Sequence, residues 1–96
     1  MMPHEQFTAA LAAAAPPADY RPALAALWHE AKGDWQAAHD LLQDGDPACD
    51  RVHAYLHRRE GDDANAQYWY RRAGVRPSSL TLDDERATLV AELLAV

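Results

Sequence analysis

Apolar positions recur along this chain at helical spacing, in blocks cut apart by glycine, proline and aspartate. A first helix is predicted from about Pro3 to Ala15, stopped by Pro16-Pro17. Asp19 is the expected cap of a second, YRPALAALWHEAK, with Pro22 tolerated in its first turn. Gly33-Asp34 closes that helix and opens a third, WQAAHDLLQ, which ends at Gly45. Asp46-Pro47 is a cap followed by proline at the first helical position, and starts ACDRVHAYLHRRE. Gly61-Asp62 then opens DANAQYWYRRA, which stops at Gly74. After VRPSSL, Thr81 caps a last helix, LDDERATLVAELLAV, whose Leu82, Leu89, Val90, Leu93 and Leu94 form one stripe. The prediction is an all-α domain of six short antiparallel helices. Residues 1–18 give an N-terminal helix and linker, 19–45 and 46–77 two helical pairs, and 78–96 a capping helix.

Composition agrees with an all-α chain and restricts its core. Of 96 residues 21 are alanine, isoleucine is absent, and there are four valines and three threonines, so strand formers are scarce. The core must come from few large side chains and close helix contact. Two segments also repeat at an offset of 28. Ala26/Ala54, His29/His57, Gly33/Gly61, Asp34/Asp62 and Ala38/Ala66 coincide. A tight helix–turn–helix needs those letters: small residues at the crossing, glycine in a left-handed turn, aspartate as the next cap.

On these residues the chain resembles the tetratricopeptide/Sel1-like superfamily of helical repeats. Ala54, Gly61, Ala66, Tyr70 and Ala73 match the family's places, and AQYWYRRAG is similar to a Sel1-type ending. The first copy fits at Ala26, Gly33, Asp34 and Ala38, while Leu42 and Gly45 depart from the pattern and the 43–47 joint is compressed. The whole chain also resembles small bacterial proteins carrying an EGD–NA–YWYRRAG core. The resemblance implies a right-handed array whose first helices line a concave, partner-binding face. Carried over, that face holds Arg51, Tyr55, Arg58 and Arg59 in the second copy, and Tyr20, Ala23, Leu27 and Glu30 in the first.

Spacing alone puts 51, 55, 58 and 59 on one helix face, and arginines beside a tyrosine suit a carboxylate or phosphate. Ala66, Tyr70 and Ala73 form an inward stripe, while Asn65, Trp69 and Arg72 form a second one that faces another helix or a partner. Trp69 is expected mainly to pack under the C-terminal helix. The net charge of −6 argues against nucleic acid, yet residues 51–76 hold six of the nine basic side chains. That island suits an acidic partner. The single Cys49 and the lack of a membrane-length apolar run predict a cytoplasmic protein, with no membrane partner.

Candidate chemistry is sparse. His53 and His57 lie one helical turn apart, with Glu60 or His29 as a third metal ligand, but Arg58 and Arg59 beside them disfavour a dication. Cys49 with His53 is a weak nucleophile–base pair, because Asp46 and Asp50 favour the protonated thiol. No phosphate loop or nucleophile elbow occurs, so neither catalytic residues nor a cofactor are expected. The leading expectation is a non-catalytic interaction module that binds an acidic peptide or protein surface through Arg51, Tyr55, Arg58 and Arg59, with Trp69 and Arg72 as further contacts. The alternative is a small-molecule or metal-binding protein, with or without enzymatic activity, built on His53, His57 and Arg58. Self-association through the apolar last helix is a third.

Overall fold

A computed structural model describes residues 2–43 and 45–95. Among them are six α-helices and no strand: α1 Pro3–Ala10, α2 Pro22–Ala31, α3 Trp35–Asp40, α4 Pro47–Arg59, α5 Asp63–Ala73 and α6 Leu82–Leu94. The cap signals account for most of the boundaries. Asp34, Asp46, Asp62 and Thr81 each accept a backbone N–H from the first turn of the helix they precede. Asp19 does not: Arg21, which has no carboxylate or hydroxyl to accept a backbone N–H, occupies the cap position of α2, and no side-chain cap bond forms. α1 ends at Ala10 and α3 at Asp40, both shorter than expected. Asp44, in the compressed joint, and Val96, at the expected end of the last helix, lie outside the described residues.

The 28-residue repeat is reproduced atom for atom at its turns. Gly33 and Gly61 have φ of 88° and 87°. The next residue's N–H returns to a histidine carbonyl five residues back, Asp34 to His29 at 2.9 Å and Asp62 to His57 at 2.8 Å. Gly33 N–H bonds Glu30 and Gly61 N–H bonds Arg58, which completes a Schellman ending in each copy. The small residues meet where the helices of each pair cross, and Ala26, Ala38, Ala54 and Ala66 are all buried.

α4 is the centre of the molecule. It contacts α2, α3, α5 and α6, and every residue from Val52 to His57 is buried. An unpaired buried polar atom costs about 1–3 kcal/mol, so the polar side chains of this enclosed helix seek partners, and Asp50 Oδ1 and His53 Nδ1 are buried without one. The main core joins α1, α2, α3, α4 and α6 through Phe7, Leu24, Leu27, Trp28, Ala38, Val52, Leu56, Leu89 and Val90, with Leu42 just beyond α3. A small satellite of Ala54, Ala66 and Tyr70 holds α5 to α4, with Trp69 packed against it.

The arginine-bearing face of α4 is closed, which corrects the expectation of an open concavity. α6 lies across it and supplies the carboxylates. Arg51 pairs with Glu92, Arg58 with Glu85 at 2.8 Å, and Arg59 with Asp83 at 2.9 Å. Tyr55 is completely buried, and its hydroxyl donates to Glu30 at 2.7 Å. Glu30 also receives Arg59 at 3.4 Å and Arg86 at 3.1 Å, so one carboxylate ties α2, α4 and α6 together. The acidic first turn of α6 thus meets the basic island of its own chain. No helix of the described residues is long and apolar enough to cross a membrane.

Candidate functional site

The opposite polar face of α4 carries His53 and His57, one turn apart, both 6% exposed. Their partner from α3 is His39, in the last turn of that short helix. Trp35 fixes α3 in place. Its indole N–H donates to the Leu56 carbonyl at 2.8 Å, and its ring stacks on His39 with centroids 4.9 Å apart. His39 Nε2 then lies 2.9 Å from His53 Nε2, and the His53 and His57 rings run nearly parallel 5.1 Å apart. One ring nitrogen from each histidine falls within 4.8 Å of one from each of the others.

α5 forms the other wall. Trp69 stacks flat on His53, with centroids 3.7 Å apart and planes 8° from parallel. Its place is therefore against α4 rather than under α6, where packing was expected. Arg72 stands over Trp69 at 5.1 Å, and its Nε is 3.9 Å from the buried Asp50 carboxylate. Asn65, Trp69 and Arg72, the second stripe of α5, line a cavity of about 390 Å³ together with His39, His53, His57, Leu42 and Gln43.

Electrostatics favours the neutral form of His53. Burial, and then the charges of His39, His57 and Arg72, lower the pKa of His53 to about 4. His57 Nδ1 lies 2.7 Å from Glu60, which holds the N–H on that atom and leaves Nε2 as the donor lone pair. His53 Nδ1 is buried with no hydrogen-bond partner. Between His39 and His53 one Nε2 must donate to the other, so one proton occupies the place a cation would take.

No family model matches the chain, and neither a curated protein nor a solved structure proves similar to it.

These positions reorder the expected residues. Arg58 and Arg59 do not oppose a cation at the histidines, because they project to the other side of α4 and are neutralised by α6. His29 is not a third ligand: it packs edge-on against Trp28 on α2. Glu60 serves His57 from behind. Cys49 is buried in the main core, and His53 faces His39. His39 was the residue missed. It lies one helical turn after Trp35, on the side of α3 next to Ala38, which is buried. Since the repeat placed Ala38 at a helix crossing, its neighbour was a legible candidate for contact with α4.

Three imidazoles whose nitrogens converge, one of them pinned by a carboxylate, form a donor set for a first-row transition dication. With bonds of 2.0–2.1 Å to a tetrahedral ion, neighbouring nitrogens stand about 3.3 Å apart. The His39–His53 separation of 2.9 Å needs only a small spread to reach that.

Proposed function

We propose that this protein binds a divalent transition metal, with Zn²⁺ the best match, through His39, His53 and His57. The observation that carries the reading is the convergence of three ring nitrogens within 4.8 Å, with His57 Nδ1 held by Glu60. Softness and geometry agree, since imidazole suits zinc, copper and nickel better than magnesium or calcium. The lowered pKa of His53 removes proton competition at neutral pH. Three protein ligands leave a fourth position free, the arrangement of a zinc that binds or activates a small molecule, whereas structural zinc is closed by four protein ligands. The cavity of about 390 Å³ lies beside those ligands.

A module for an acidic peptide finds less support. Its arginines would have to exchange the carboxylates of α6 for those of a partner, and Tyr55 would first have to be uncovered.

Metal analysis by mass spectrometry, after equilibration with Zn²⁺ and gel filtration, tests the proposal. One zinc per chain is expected, reduced to a trace in His39→Ala and His57→Ala. A wild-type protein that retains no stoichiometric Zn²⁺, Cu²⁺, Ni²⁺ or Co²⁺ would overturn it.

A further inference from the structure

We infer that the free position of that metal takes a small monocarboxylate, one carboxylate oxygen on the ion and the other held by Arg72, which lines the same cavity. The inference rests on the metal reading and names the ligand class of the same site.

Charge comes first. Neutral imidazoles leave the full double charge on the ion, and Arg72 adds another positive charge to the same cavity. Against these stand Glu60, bonded to the back of His57, Asp62 close to both, and Asp50, buried near Arg72. None of these carboxylates lines the cavity, and among the described lining residues Arg72 is the one arginine or lysine, so an entering anion meets positive charge first.

The engagement of Arg72 points the same way. Arg58, Arg59 and Arg86 each hold a carboxylate oxygen at 2.8 Å, 2.9 Å and 3.1 Å respectively. Arg72 approaches Asp50 no closer than 3.9 Å and donates to the Tyr68 hydroxyl at a long 3.4 Å. Its side chain is 48% exposed, so most of its five N–H donors are available to a ligand entering the cavity. A guanidinium presents a planar fork that fits a carboxylate. A phosphate is ordinarily held by more than one cationic side chain, and among the described lining residues Arg72 is the one arginine or lysine. Trp69 and Leu42 give the cavity an apolar side, and its volume sits at the lower end of small-molecule sites.

The test uses the full chain loaded with Co²⁺, whose visible spectrum reports coordination, and acetate as the probe. Wild type should bind one Co²⁺ and show a saturable spectral change with acetate. Arg72→Met should keep the Co²⁺ stoichiometry but weaken acetate by roughly tenfold or more, the loss of a charge-assisted hydrogen bond. Arg72→Lys should recover part of it. Absence of bound Co²⁺ would remove the metal reading and this inference together. Bound Co²⁺ with a spectrum indifferent to acetate, or with equal acetate affinity in wild type and Arg72→Met, would overturn this inference and leave the metal reading standing.

Discussion

Acid should destabilise the metal-free protein through His53 before its carboxylates titrate. The folded structure lowers this imidazole from 6.5 to about 4, because burial and the charges of His39 on α3, His57 on α4 and Arg72 on α5 oppose its protonation. Above pH 6.5 the unfolded chain leaves the ring neutral as well, so His53 gives stability no pH dependence there. From pH 6.5 down to about 4 the unfolded chain takes up a proton that the fold refuses, and stability falls with falling pH. Each unit of displacement is worth about 1.4 kcal/mol, which sets an upper bound of about 3.5 kcal/mol. His53 borders a solvent-open cavity, and screening there reduces the expected loss to about 2 kcal/mol. For a domain of this length that is a fall in Tm of roughly 10 °C. The assay is thermal unfolding followed by circular dichroism in chelator, at steps between pH 7.5 and 4, for wild type and His53→Gln. Carboxylates held down by arginine, such as Asp83, lose their contribution in both proteins and cancel in the comparison. Equal slopes for the two proteins between pH 6.5 and 4.5 would refute the reasoning.

Two further outcomes follow from the fold. Glu30→Ala removes the carboxylate shared by Tyr55, Arg59 and Arg86, and should cost about 3 kcal/mol in chemical denaturation; a loss under about 1 kcal/mol would mean that this network does not hold α6 down. Gly33→Ala and Gly61→Ala should each cost roughly 1 kcal/mol from backbone strain alone, since a Cβ at either position meets no atom within 4 Å. Denaturant midpoints should then show the two losses equal within a few tenths of a kcal/mol. Clearly unequal losses would contradict the equivalence of the turns.

Local chemistry made the helices readable. Aspartate before an apolar run, proline at a first helical position and glycine at a left-handed ending act within one turn of chain, and four caps and both Gly-Asp turns stand where they were expected. The inward stripe of α5 was legible too, with Ala66 and Tyr70 buried. Even half of the candidate site was in view, because Asn65, Trp69 and Arg72 share a helical period with one another, as His53 and His57 do.

What sequence by itself determined, then, is where each helix begins and ends and which side chains share a face, since those follow from hydrogen bonds and rotations within a few residues. Which face meets which neighbour was decided only by tertiary packing. The arginines of α4 found their counter-charges on α6, some 25 to 40 residues away in the chain, and so became internal ties. The histidines became a cluster only when α3 brought His39 against them, a contact that no spacing within α4 encodes.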